Sequence, residues 1–116
     1  MNKYLNHKTV LDGFKFDSRK ESERYAELRL LEKGGLISGL KMQPEFVLIE
    51  GFVHKGKKIR ATKYIADFLY FDESSRAHVV EDVKSSYLAK KNELYKLKKK
   101  LFLKKFPEFD FRELLV

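Results

Sequence analysis

The stretch YIADFLYFDESSRAHVVEDVK, residues 64–84, decides the fold. Its two ends, Tyr64 to Phe71 and His78 to Lys84, are rich in aromatic and β-branched residues, the composition of half-buried strands. Between them Asp72 to Ala77 read as a polar turn. Two strands joined so tightly pair antiparallel. With the turn centred on Ser74-Ser75, Asp67 falls opposite Asp82. Directly opposed side chains lie ~4.5–5.5 Å apart, and like charges there are destabilising unless something neutralises them. A bound divalent cation is the usual reason for two facing carboxylates. Side chains alternate along a strand, so Asp82 and Lys84 share one face and Glu81 points to the other.

Upstream, Ser18 to Glu21 reads S-x-x-E, a capping box that satisfies the first free N–H groups of a helix. That helix is expected to run to about Lys33, where Gly34-Gly35 can take the left-handed conformation that ends it. At ~100° per residue, Glu21 lies within about 40° of Tyr25 and Leu28 on the sheet-facing side, whereas Glu23 faces solvent. Gln43-Pro44 opens an extended stretch from Glu45 to Glu50, with Phe46 and Leu48 expected inside. Gly51 to Lys58 reads as a turn, and Ile59 to Phe71 as one strand.

Downstream, a helix is expected from about Leu88 until Pro107 stops it. Leu94, Leu97 and Leu101 make its core face, widened by Tyr95 and Phe102. Phe109-Asp110-Phe111 begins a last strand that returns through a helix and so runs parallel to its neighbour. The order is helix, three strands, helix, strand: an α/β chain with a mixed sheet flanked by helices. Residues 1–12 form a polar lead-in to a single domain spanning 1–116, since 116 residues leave no room for a second core.

Composition narrows the function classes. A hydrophobic fraction of 43% in short periodic runs is that of a folded chain. The absence of Cys excludes disulfides and thiolate metal sites, and a reducing cytoplasm is the simplest setting. Neither a secretory signal nor an apolar run of ~20 residues is present, so no membrane partner is expected. The net charge of +8 is concentrated between Lys84 and Lys105, where nine Lys accompany the lone Glu93. A polyanion is the partner such a face suits, although a solvated Lys-rich helix would look the same.

These residues resemble a known family. Glu21 at an S-x-x-E helix start, Asp67 in Tyr-Ile-Ala-Asp-Phe, and Asp82-Val83-Lys84 after Val-Val-Glu resemble the signature of the PD-(D/E)XK, or restriction-endonuclease-like, nucleases. The likeness covers about Phe14 to Leu114 and implies an αβββαβ core. Phe16-Asp17-Ser18 with Tyr25, Gln43-Pro44 and Glu81-Asp82-Val83-Lys84 resembles small phage and prophage proteins held to be similar to Holliday junction resolvases. The resemblance implies that Asp67 and Asp82 hold Mg²⁺ or Mn²⁺, with help from Glu21 and the backbone carbonyl of Val83. Lys84 would orient or deprotonate the attacking water. Lys90, Lys91, Lys98 and Lys99 on the second helix would grip DNA, and a homodimer would supply two sites for two strands.

The sequence departs from the pattern at Ala66, where the Pro that names the motif would stand, and at Asp82, where Glu is more usual. A bulge would let Glu81 take over as ligand. Bland readings stand beside each residue: Glu21 as a helix cap, Asp67 paired with Lys84 or Lys63, Asp82 in a strand-end ion pair with Lys84. Tyr87 and Tyr95 interleave with Lys and could stack on bases or simply pack. His7, His54 and His78 lack ligand spacing. The rival functions are a non-catalytic DNA-binding module and a nuclease directed at RNA.

Overall fold

The computed structural model describes residues 9–16 and 18–116. Much of the expected lead-in, and with it His7 and Asp17, lies outside those residues. The lead-in's last residues form a strand, β1 (Thr9–Leu11), paired antiparallel with β2 (Phe14–Phe16). Asp12-Gly13 turns this hairpin with φ of 51° and 82°, the doubly left-handed backbone of a type I′ turn.

Helix α1 (Arg19–Lys33) begins at Ser18, whose hydroxyl accepts from the Glu21 N–H at 3.1 Å. Its buried face is Glu21, Ser22, Tyr25 and Leu28, as the 3.6-residue period requires, and Glu23 is exposed. Then come β3 (Ile37–Met42), β4 (Glu45–Ile49), β5 (Phe52–His54), β6 (Lys57–Ile59), β7 (Thr62–Ile65), β8 (Phe68–Asp72) and β9 (Ala77–Lys84). Short α2 (Ser86–Lys91) and longer α3 (Glu93–Lys105) precede β10 (Asp110–Leu115).

The main sheet has four strands in the order β10-β9-β8-β3. β10 runs parallel to β9, and the other pairs are antiparallel, so the sheet is mixed and the molecule is of mixed helix-and-sheet class. The β8–β9 register pairs Phe68 with Glu81 and ends there, with the turn where the sequence put it; Asp67 lies just beyond the end of β8, and its N–H also reaches the Glu81 carbonyl. Alternate residues of β8 and β9 feed two cores. On one face Phe68, Tyr70 and Val79 pack with Tyr25 and Leu28 of α1. On the other, Val80 packs with Phe46, Tyr64, Tyr95 and Phe102, which joins α3 and the β4–β7 ribbon to the sheet. Aromatic edges hold this second core, with Phe46 and Phe102 centroids 4.9 Å apart at 68°.

Several expectations fail here. The strand at 45–50 belongs not to the main sheet but to a separate ribbon with β7. The main-sheet strand is β3, which escapes sequence reading because its register shifts between Ser38 and Lys41 and breaks the period-2 alternation. The stretch from Ile59 to Phe71 is three strands, since the chain leaves one partner for another at residues 66–67. Gly51 to Lys58 is mostly a hairpin turned at Lys55-Gly56 rather than a simple turn. The last helix breaks at Asn92, whose side chain caps α3 by accepting from the Tyr95 N–H at 3.0 Å. Leu94 and Leu97 are exposed, because Tyr95 and Phe102, seven residues apart and thus on one stripe, take the sheet-facing position.

One buried ion pair fastens α1 to the central strand. Glu81 is fully buried, and it accepts from Arg24 Nε at 2.6 Å, from Arg24 Nη2 at 3.0 Å and from the Tyr70 hydroxyl at 2.6 Å. A lone carboxylate there would be strongly unfavourable, so Arg24→Ala is expected to destabilise the fold by about 3–5 kcal/mol. Urea unfolding measures this, and an Arg24→Ala, Glu81→Gln double variant should recover part of the loss.

Candidate functional site

Asp67 sits at the break between β7 and β8, and backbone bonds hold it there from both sides. Its N–H donates to the Glu81 carbonyl at 3.1 Å, and its own carbonyl accepts from the Gln43 N–H at 2.9 Å. Gln43 reaches that position only by adopting φ of 49°, an unfavourable conformation for a residue with a Cβ. The Asp67 carboxylate then turns to β9, where Oδ2 accepts from the Val83 N–H at 2.7 Å.

Asp82 is fully buried on the same face. Its Oδ2 accepts from the Tyr64 hydroxyl, and its Oδ1 lies 3.7 Å from Lys84 Nζ. That Oδ1 has no hydrogen-bond partner among the described residues. Lys84 Nζ also lies 4.9 Å from the centre of the Tyr95 ring. A cavity of about 230 Å³ opens where β9 ends, lined by Ser18, Lys20, Glu21, Asp67, Val83, Lys84, Ser85, Leu88 and Val116. Glu21 thus looks into the same space as Asp67 and Lys84, from the first turn of α1.

Burial, a hydrogen bond to Asp82 and the charge of Asp82 push the Asp67 carboxyl up to about 9. Glu21 adds to the rise, and the Val83 N–H opposes it. Without a cation, then, the protonated form of Asp67 is favoured at neutral pH. Burial and the same Asp82 charge push the Tyr64 hydroxyl well above its ordinary range, so it stays a donor.

The acids are brought together as a pair with Glu21 nearby, not as a finished cage. Among the described residues no three His, Cys, Asp or Glu side chains are grouped as a ligand set. Glu81 is excluded as a substitute for Asp82, since it projects to the α1 face and is held by Arg24. Lys63 does not pair with Asp67; it lies 3.3 Å from Glu45. His54 and His78 are exposed. Of the four lysines expected to bind nucleic acid, Lys90 and Lys91 are exposed and Lys98 half-exposed, with no ion pair among the described residues. Lys99 is engaged by Glu113 at 3.1 Å, which removes it from a free basic face. Sequence reasoning missed Tyr64 as the donor to Asp82 and Arg24 as the neutraliser of Glu81. Only Tyr64 had a signal, its place within the Tyr-Ile-Ala-Asp run.

A raised carboxyl makes stability fall with rising pH. The contribution is complete below the unfolded value of ~4 and is lost as pH rises through the folded value. In EDTA, unfolding free energy is therefore expected to drop between about pH 6 and about pH 8, by up to about 1.4 kcal/mol per pH unit. Asp67→Asn should flatten that slope, and equal stability of the unsubstituted protein at both pH values would show that Asp67 does not hold its proton.

No described helix is long and apolar enough to cross a membrane. Comparison with curated proteins found no match, and comparison with solved structures found none either. Residues 1–114 match a family described as Protein of unknown function (DUF1064), and the chain belongs to that family.

Proposed function

We propose that this protein is a divalent-metal-dependent endonuclease that hydrolyses phosphodiester bonds in DNA. The observation that carries the reading is the pairing of half-buried Asp67 with fully buried Asp82, with Lys84 beside them. Two adjacent carboxylates, one of them fully buried, are unfavourable by themselves, and an oxygen-seeking cation is the partner that suits them. The donor set fits Mg²⁺ or Mn²⁺, which keep several waters and need only one or two protein carboxylates.

Asp67 and Asp82 would hold the ion, with the Val83 carbonyl and Glu21 completing its surroundings directly or through water. Such an ion polarises the phosphoryl oxygen and lowers the pKa of water. The proton on Asp67 must leave before it can act as a ligand, so affinity for the ion should rise with pH. Lys84 is tethered by Asp82 and the Tyr95 ring, which limits its ammonium to the mouth of the cavity. There it can orient the attacking water and stabilise charge on the phosphate. Tyr64 fixes the Asp82 carboxylate by donating to Oδ2. The exposed Lys90 and Lys91 and the half-exposed Lys98 would contact phosphates, which carry no base information.

This reading agrees with the resemblance to PD-(D/E)XK nucleases, and with a phage or prophage enzyme working in a host cytoplasm. One site cuts one strand, so severing both strands would take two copies of the chain. The expected result is Mg²⁺- or Mn²⁺-dependent cleavage of nicked, branched or linear DNA. Asp67→Ala, Asp82→Ala and Lys84→Ala should each lower the rate by at least ~100-fold with the circular dichroism spectrum unchanged. Full activity in Asp67→Ala would remove this reading. A protein that binds DNA but cuts none of these substrates with either ion would instead be a binding module.

A further inference from the structure

The segment from Gly51 to Arg60 is exposed at every residue and forms an arm of two strands, β5 and β6. From Gly51 to Ala66 the chain carries Lys55, Lys57, Lys58, Arg60 and Lys63 and no acid. This is a second basic block, separate from the Lys-rich helices. It extends from the site itself, because β7 ends two residues before Asp67 and the arm lies at the far end of the β4–β7 ribbon.

A cavity of about 240 Å³ links the two regions. It is lined by Lys63, Lys84, Asn92, Tyr95 and Lys98 among others, and it shares Lys84 with the acidic cavity. Lys63 and Lys84 are paired with Glu45 and Asp82, whereas Lys98 on that cavity and Lys57, Lys58 and Arg60 on the arm have no ion pair among the described residues.

The arm is built to keep its shape. Lys55 and Gly56 have φ of 48° and 77°, a type I′ turn that matches the twist of the flanking strands. At its base a Cβ on Gly51 would lie 3.2 Å from the Ile59 carbonyl oxygen, so a larger residue there would make the strands give by a few tenths of an ångström. From Asp67 to the tip, strand rise allows at most roughly 35 Å, about one turn of a DNA duplex.

We propose that the β5–β6 arm is a clamp for the phosphate backbone of the double-stranded DNA that enters the cavity, gripping it up to one helical turn from the acidic pair. Duplex DNA is the occupant because the arm's charge is uniformly positive and its reach is that of a groove-tracking element. The identification of DNA rests on the function proposed above, whereas the polyanion grip does not need the site to be catalytic.

The test uses the full chain in EDTA, so that binding is read without cleavage. A Lys57→Ala, Lys58→Ala, Arg60→Ala variant is compared with the unsubstituted protein on a duplex of about three turns and on one of about half a turn. The long duplex should lose roughly 10- to 100-fold in affinity, with the slope of log K against log salt falling by about 2 to 3. The short duplex should lose less. Matching thermal unfolding of the two proteins assures that the arm alone was altered.

Unchanged affinity and slope on the long duplex would overturn the clamp. So would an equal loss on both duplexes, or a change in sedimentation showing that the arm joins two copies of the chain. If the Lys57, Lys58 and Arg60 variant loses binding while the unsubstituted protein cleaves nothing in Mg²⁺ or Mn²⁺, the clamp stands and the nuclease reading falls. If cleavage depends on Asp67 but the arm variant binds normally, the reverse holds.

Discussion

Glu81 and Asp82 are consecutive residues of the central strand, and both are fully buried. Because neighbouring side chains of a strand point to opposite faces, their two charges cannot be met by one partner. The fold answers them separately. Glu81 takes a bidentate guanidinium from α1 and a hydroxyl from β8, which ties the helix to the sheet. Asp82 receives one tyrosine hydroxyl, a lysine at 3.7 Å and another carboxyl. One face is neutralised in full and the other is left in deficit.

That asymmetry places everything around the candidate site. Arg24 lies one helical turn beyond Glu21, so the clamp that neutralises Glu81 also sets where the first turn of α1 meets the sheet. Asp67 is carried to Asp82 by a change of strand partners at residues 66–67, with its backbone held between Gln43 and Glu81. The acids therefore come from elements with separate anchors, and their convergence does not depend on a flexible loop. Such anchoring is what a site needs if it must bring like charges together without relaxing them apart.

Much of this was legible in residues 64–84. The polar turn at Ser74-Ser75 sets the β8–β9 register, and with it the opposite facing of Glu81 and Asp82. Strict alternation made that inference possible. Where alternation is broken, the reading fails: the irregularity between Ser38 and Lys41 hides β3, and the break before Phe68 hides the division of one apolar run into separate strands. Leu94 and Leu97 misled because apolar spacing marks a helix face without saying how wide the sheet beneath it is. The turn at Lys55-Gly56 falls in the stretch read as a turn, whereas the hairpin at Asp12-Gly13 was passed over as the end of a polar lead-in. Partnerships between distant residues, such as Arg24 with Glu81, leave no local trace.

The parallel pairing of β10 with β9 also governs the order in which the chain can be completed. Residues 79–84 meet their partners only after residues 110–115 have been synthesised, with both C-terminal helices lying between. During that interval one flank of the strand that holds Glu81 and Asp82 is an open edge, able to accept any extended peptide nearby. Closing it requires a contact of long sequence separation, the kind formed late in folding. A nascent molecule thus acquires its acidic pair on a scaffold whose last hydrogen-bonded neighbour is still missing.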